Sequence, residues 1–477
     1  MEDWVSNWLA KQRELGEKGL EVKKFSNGYY LYRSTTYWDK ALKKRRKKSA
    51  YIGRLDKNKG LIESQKTVIS SKRVRSIWEY GNAALLNYAM KDLKHLLQKA
   101  FGEIWEEVYA LALIRIAGYV PLKRANLAWE KLYPIAEITP TMNAKALSKV
   151  LKEVGINRKG QNHVFKGLSS EDKHLVYDLS AIFTRSEAIN FAEKGYNKEH
   201  FHIPQVNFAL FCTANDNLPT MVRILPGSVR DIKSLALSIR EIGVENRTLI
   251  LDRGFYSKGS IKTLNECKLS FVIPTKRNST LYNEQINLSE HFFYHERLIK
   301  CGKKEHGENI LYLFEDGEMK KEEEYTLYKQ HDENKITSNT FNKSLEKAGK
   351  ILLISNVNLT PEDVFLMYKK RDTVEKHYDT YKSMLEADKL YLQDNESLFG
   401  HLFISFLSLY GYVKIQNCIR KADLTSKYSP RDLIEQFRKV YVIDLDGQMI
   451  STEVPKKIGE MRLCHLSLNL FFFLNNN

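Results

Sequence analysis

The chain is poor in the features that mark several large protein classes. Its five cysteines, Cys212, Cys267, Cys301, Cys418 and Cys464, are scattered through 477 residues. They show neither the paired spacing of zinc sites nor a secreted disulfide framework, and they read as reduced thiols in a cytosol. No apolar run is long and clean enough to span a bilayer. The most apolar stretch, residues 398–413, carries His401, Ser405, Ser408 and Gly411 and predicts a buried helix instead. The opening Met1-Glu-Asp-Trp is not a signal peptide. Walker loops, zinc-protease motifs and glycine-rich dinucleotide fingerprints are absent, and no Ser/His/Asp or Cys/His order is supported. Acid is in deficit: 58 Asp and Glu stand against 75 Lys and Arg, a formal charge of +17 and a pI near 9.3. That balance suits a protein that covers phosphate backbone. With 43% hydrophobic residues, the chain can fill more than one core.

The densest information lies in residues 360–390. Thr360 and Asp363 form a capping-box-like start, Pro361 suits the first helical position and acids fill the first turn. Tyr368, Arg371, Glu375 and Lys382 come next. At about 100° per residue, Arg371 falls near −60°, Glu375 near −20° and Lys382 near −40° from Tyr368. One hydroxyl, two cations and one carboxylate therefore share a strip of an ideal helix. Met367, Val374, Tyr378, Tyr381 and Leu385 form a separate apolar stripe that suits a core. From the helix alone two readings stand level. One is a phosphate-holding strip beside a metal-binding acid; the other is a solvated face with Arg371 and Glu375 as an i,i+4 ion pair.

Two acids upstream sit in or after strand-like runs. Asp178 lies within His174-Leu-Val-Tyr-Asp178-Leu-Ser-Ala-Ile-Phe183, rich in β-formers. Asp252 ends Thr248-Leu-Ile-Leu-Asp252, and Arg253-Gly254 then marks a turn before a helix over residues 258–268. An acid at the carboxyl end of a buried strand is where such sheets place their sites, although a lone Asp there also serves as a cap. Between the acids, residues 208–213 and 220–225 flank the turn Ala214-Asn-Asp-Asn217 as a hairpin, and residues 230–242 form an amphipathic helix. Strands at 271–277 and 351–355 come after the second acid.

The Tyr-x2-Arg-x3-Glu-x6-Lys pattern with the Asp252-Arg-Gly-Phe-Tyr-Ser257 string resembles the DDE transposases of prokaryotic insertion sequences, in the hairpin-forming branch with the Tyr-Arg-Glu-Lys signature. The resemblance has motif support over about residues 170–415. It implies an α/β fold: a ribonuclease-H-like catalytic domain with a β-rich insertion, preceded by a β-rich basic region and a helical domain. The expected divisions are residues 1–70 (basic, aromatic, contacting DNA), 71–170 (helical, a DNA-binding or scaffold domain), 171–277 with 350–420 (split catalytic domain), 278–349 (insertion) and 421–477 (helical tail, a packing or dimerisation arm ending in Phe471-Phe-Phe-Leu).

By the same resemblance Asp178, Asp252 and Glu375 are the catalytic and metal-binding triad. The implied cofactor is Mg²⁺, as two ions, with Mn²⁺ as a substitute. Two divalent ions about 3.5–4 Å apart activate the attacking oxygen and stabilise the leaving one in phosphodiester chemistry, and hard ions prefer carboxylate oxygen. Arg371 and Lys382 would grip phosphates, Tyr368 would touch the backbone beside the cut, and Arg253 joins them as a further DNA-contact candidate. A displaced base in the hairpin step would stack on an aromatic of the insertion, with Phe292, Phe293, Tyr294 and Tyr312 as candidates. All six tryptophans lie at or before position 129, so none is available there.

The run Lys43-Lys44-Arg45-Arg46-Lys47-Lys48 lies between Tyr29-Tyr-Leu-Tyr32 with Tyr37-Trp38 and Ser49-Ala-Tyr-Ile52. It reads as a basic hairpin tip suited to DNA, against the alternative of a solvated loop. The implied function is cut-and-paste transposition: binding terminal inverted repeats in double-stranded DNA, nicking the ends and joining the 3′-OH to target DNA. The protein would act as a homodimer on DNA, without a membrane, in a prokaryotic cytoplasm with the nucleoid. A ribonuclease-H-like nuclease without strand transfer, and a transposase-derived DNA-binding regulator, are the alternatives.

Overall fold

The computed structural model describes residues 2–39, 43–64, 73–134, 136–169, 173–195, 203–228, 232–243, 247–386, 388, 392–455 and 458. The chain forms two compact units, Met1–Glu79 with Val440–Val454, and Tyr80–Lys439 with Pro455–Asn477.

In the first unit the helix Asp3–Glu14 accompanies an antiparallel meander of β1 (Leu20–Phe25), β2 (Gly28–Asp39), β3 (Lys44–Asp56) and β4 (Gly60–Glu63). Val5, Leu9, Tyr29, Leu31 and Leu55 form its core, with Trp4 and Trp8 packed against them. The basic run is therefore strand rather than loop. Lys44 to Lys48 pair one by one with Asp39 to Thr35, and only Lys43 sits in a turn.

A three-stranded sheet completes this unit: β5 (Val74–Glu79) pairs with Tyr441–Leu445, which turns back onto Gln448–Ser451. The expectation of a helical tail from 421 thus needs correction. The helix Pro430–Phe437 is present with its Ser429 capping box, but residues 441–451 are a hairpin, closed by an Asp446-Gly447 turn with both residues at positive φ. Phe471 and its neighbours lie outside the described residues.

The second unit is a mixed α/β assembly around one nine-stranded sheet. Its strands are β6 (His174–Phe183), β7 (Gln205–Thr213), β8 (Pro219–Pro226), β9 (Thr248–Leu251), β10 (Ser270–Pro274), β11 (Glu290–Tyr294), β12 (Arg297–His306), β13 (Asn309–Asp316) and β14 (Lys350–Ser355). The spatial order is β11-β12-β13-β14-β10-β9-β6-β7-β8. Within it β8-β7-β6-β9-β10 has the first strand central. β6–β7 and β7–β8 are antiparallel, while β6–β9 and β9–β10 are parallel, consistent with a ribonuclease-H-like sheet. Every residue of β7 is buried, as is the Leu249–Leu251 end of β9, because both sheet faces are covered.

Residues 278–349 differ from a β-rich insertion. Their three strands extend the catalytic sheet through β13–β14 pairing, and the remainder holds two helices, Gly317–Asp332 and Ser338–Leu345. The Lys/Glu-rich stretch between strands has high helix propensity and an Asp316 cap whose carboxylate accepts from the Glu318 and Met319 amides.

Helices Tyr80–Phe101, Trp105–Ile116, Ala144–Ile156 and Arg158–Leu168 surround the long helix Asn395–Lys421. That helix is long and apolar enough to cross a membrane by composition, yet its apolar window is 89% buried inside the unit. It approaches the Ala144–Ile156 helix closely because glycine stands at both contacts: a Cβ at Gly400 would strike the Leu151 carbonyl, and one at Gly155 the Glu396 carbonyl.

Candidate active site

Three carboxylates reach one end of the central strands by different routes. Tyr177 on β6 is the parallel partner of Leu251 on β9, so Asp178 and Asp252 each come one residue after a shared register position. Asp178 is buried within β6, whose ladder with β7 continues to Phe183. Asp252 leaves β9 and caps the short 3₁₀ turn Arg253–Phe255, its Oδ2 accepting from the Gly254 amide at 3.2 Å. The cap role read from sequence is thus real, but its other oxygen is committed elsewhere. Oδ1 accepts from Arg371 Nη1 at 2.6 Å.

Arg371 lies where the expected helix breaks. The helix Pro361–Lys369 begins at the Thr360 cap, as anticipated, with the Thr360 Oγ1 accepting from the Asp363 amide. At Lys370 and Arg371 the backbone amides bond three residues back, to Met367 and Tyr368, before the helix Asp372–Asp379 resumes. A π-turn, Thr380–Met384, then carries Lys382. Tight i−3 steps and then a widened turn invalidate a constant 100° per residue, so the four-residue strip is not one straight line. Tyr368 and Glu375 still gather around Arg371. Glu375 Oε1 is 3.6 Å from Arg371 Nη1, Asp372 Oδ1 is 3.5 Å from Nη2, and the guanidinium stands 5.7 Å from the Tyr368 ring centre.

Electrostatics tie the third acid to the same point. Burial pulls the Arg371 guanidinium down, but Asp252, Tyr368, Glu375 and Asp178 together hold it above its ordinary value. Arg371 thus feels all three acids. Its Nε is buried without a hydrogen-bond partner among the described residues. Tyr368 is half-buried, and burial raises its hydroxyl pKa, so it is a neutral hydrogen-bond donor over the working pH range. Glu375 and Arg253 are exposed, and Lys382 is half-buried on the π-turn.

Sequence reasoning did not find what holds this helix on the sheet. The Tyr378 hydroxyl donates to the Asp178 carbonyl at 2.6 Å, Tyr381 donates to the Leu402 carbonyl at 2.9 Å, and the His377 Nε2 sits 2.6 Å from the Asn217 carbonyl. Burial lowers the pKa of His377, so a neutral ring donating from Nε2 satisfies that contact. Both tyrosines belonged to the apolar stripe; their hydroxyls gave no sequence signal of their targets.

Three carboxylates are a donor set that hard divalent ions favour. Among the described residues no three Asp, Glu, His or Cys side chains converge as a cage. The donor chemistry suits a divalent ion, while in this structure Arg371 is paired with Asp252 and lies 3.6 Å from Glu375. Of the four aromatics considered for base stacking, Phe292 and Tyr312 are buried and Tyr294 packs on Phe365, whereas Phe293 projects with 70% of its surface exposed.

The transposase DDE domain family matches residues 169–410, just over half of the chain, and the protein belongs to that family. Members of that class are metal-dependent enzymes acting on DNA. No curated protein matches the chain. Among solved structures, a cryo-EM structure of the piggyBac transposase synaptic complex with hairpin DNA is similar over 70% of each chain, at 12% identity and a TM-score of 0.39.

Proposed function

We propose that this transposase binds the terminal inverted repeats of a mobile element, cuts at its ends and transfers the freed 3′-OH ends into target DNA. One observation carries the reading: Asp252 and Glu375 both lie within salt-bridge range of the Arg371 guanidinium, and Asp178 follows the β6 register partner of the residue before Asp252. Asp178, Asp252 and Glu375 would hold Mg²⁺, and the bound ions would supply the activation and charge stabilisation that phosphodiester cleavage demands. Arg371 would pass from the carboxylates to a DNA phosphate, its unused Nε adding a second donor for bidentate contact. Tyr368 would donate to a neighbouring backbone oxygen, and Lys382 and Arg253 would supply point charges. Should the second strand follow the hairpin route, Phe293 is the named aromatic whose ring is accessible for stacking.

Cleavage of labelled DNA carrying the flanking terminal repeats, with Mg²⁺ or EDTA, tests this for wild type and Glu375→Ala. Metal-dependent cuts at the repeat boundary, lost in the variant, are expected, and sealed ends would mark the hairpin route. Duplex binding without any cut in Mg²⁺ or Mn²⁺ would favour a DNA-binding regulator, and cuts without joined product a simple nuclease.

A further inference from the structure

The meander of the first unit is four strands wide only near its core. β1 pairs with β2 no further than Arg33, and β4 pairs with β3 from Gly53 onward. The five pairs Thr35↔Lys48, Thr36↔Lys47, Tyr37↔Arg46, Trp38↔Arg45 and Asp39↔Lys44 lie beyond both flanking strands. Among the described residues they form a two-stranded arm about 17 Å long at 3.4 Å per residue, with no further strand paired to it. An unsupported two-stranded ribbon is marginal in water. Its composition is also not that of a merely protected edge. Five consecutive cations fill one strand, and the facing strand presents Tyr37 and Trp38 with 47% and 57% of their surfaces exposed.

Residues opposite one another share a face, and neighbours alternate. Lys44, Arg46 and Lys48 therefore lie on one face with Asp39, Tyr37 and Thr35. Arg45 and Lys47 lie on the other with Trp38 and Thr36. The acids nearby do not cancel this charge. Glu21 takes Lys47 at 2.6 Å, and Asp39 sits 3.6 Å from Arg46, which leaves three of the five cations without an acid in salt-bridge range among the described residues.

We propose that this arm is a DNA-groove element, with Lys44, Arg46 and Lys48 on the side that meets phosphates. Two strands about 4.8 Å apart with their side chains fit the major groove of a duplex, about 12 Å wide. The phosphate backbone carries the sign opposite to the arm's cations, three of which have no acid in salt-bridge range among the described residues. The inference rests on reading the chain as a DNA-acting transposase and adds which part of its first unit engages the duplex.

The test uses the full-length chain, a fluorescently labelled duplex of arbitrary sequence and a salt titration read by anisotropy. Lys44→Gln/Arg46→Gln/Lys48→Gln removes charge while keeping polar side chains of similar bulk, and an unchanged melting curve verifies that the arm's unit is folded. The slope of log affinity against log salt should become shallower by about 2–3, since each lost phosphate contact removes about 0.9. Arg45→Gln/Lys47→Gln should change it less. Equal slopes for wild type and the triple variant would overturn the arm's role while leaving the transposase reading standing. Failure of the wild type to bind duplex would instead overturn that reading itself. Binding to phosphatidylglycerol vesicles that the triple substitution abolishes, with duplex binding untouched, would reassign the arm to an anionic surface.

Discussion

Arg371 Nη1 donates to Asp252 Oδ1 at 2.6 Å while lying 3.6 Å from Glu375. A cation of the protein is thus within salt-bridge range of both acids to which the proposed mechanism assigns metal. The Arg371–Asp252 pair is part-buried, with only 14% of the Arg371 side chain exposed, so it is held more firmly than a surface pair.

Removing that competing charge should make divalent binding easier and catalysis harder. Arg371→Gln is expected to tighten Mn²⁺ binding in the absence of DNA by about tenfold, the equivalent of about 1.4 kcal/mol, as read by electron paramagnetic resonance of free Mn²⁺. Cleavage should fall. Unchanged Mn²⁺ affinity would show that Arg371 does not compete with metal.

Asp252→Asn separates chemistry from binding in another way. The amide preserves the shape of the cap at Gly254 but gives up carboxylate charge. Strand cleavage should be abolished with duplex affinity largely kept; retained cleavage in that variant would defeat the metal-ligand assignment.

The hydroxyl of Tyr378 fixes the Glu375-bearing helix to the backbone of Asp178. Tyr378→Phe should lower stability by about 1–2 kcal/mol, as expected for a buried hydrogen bond, read by chemical denaturation. Cleavage should drop further than the loss of folded protein explains, with DNA affinity unaltered. A stability change with normal cleavage by the folded fraction would make the tether purely structural.

Glu241 gives a pH signature. The Arg158 guanidinium grips it through two nitrogens at 2.5 Å, with Asn162 and Arg223 adding contacts, and its pKa is pulled to about 2 from 4.5. A depressed carboxylate stabilises the fold above its unfolded pKa and loses that contribution as pH falls through the folded value. Wild type should therefore lose stability between about pH 4.5 and 2, on the order of 1–2 kcal/mol after solvent screening. Glu241→Gln should be flatter across that window in acid-titrated denaturation curves.

Gly400→Ala would force a Cβ onto the Leu151 carbonyl, which is backbone and cannot swing away. The expected cost is about 1–3 kcal/mol, visible as a lower melting temperature, while Gly317→Ala, which meets no atom within 4 Å, should be mild.

The parts of this site that were legible in the sequence were the locally determined ones. Asp178 and Asp252 stood out because β-branched and aliphatic residues lead into each acid, and Thr360-Pro361 announced its helix through capping chemistry. The phase of that helix beyond Lys369 was not legible. Its i−3 steps and the π-turn at Lys382 depend on where Tyr378, His377 and Tyr381 find carbonyls on β6, the 214–217 turn and the long helix, all distant in sequence. The Arg371–Asp252 pair was hidden for the same reason. Lys44 to Lys48 read as a hairpin tip, but consecutive cations have low strand preference, so the length of their pairing with Thr35 to Asp39 was not legible.

The joining of β13 to β14 limits how this protein can be trimmed. A chain shortened by removing 278–349 would leave β14, Lys-Ile-Leu-Leu-Ile-Ser, with no neighbour on one side. Four of its six residues are buried, so the cut would present a flat apolar edge ready to recruit the same edge of another molecule. Minimal catalytic fragments should therefore precipitate unless they keep β11 to β13, which place the mostly exposed β11 at the sheet's edge.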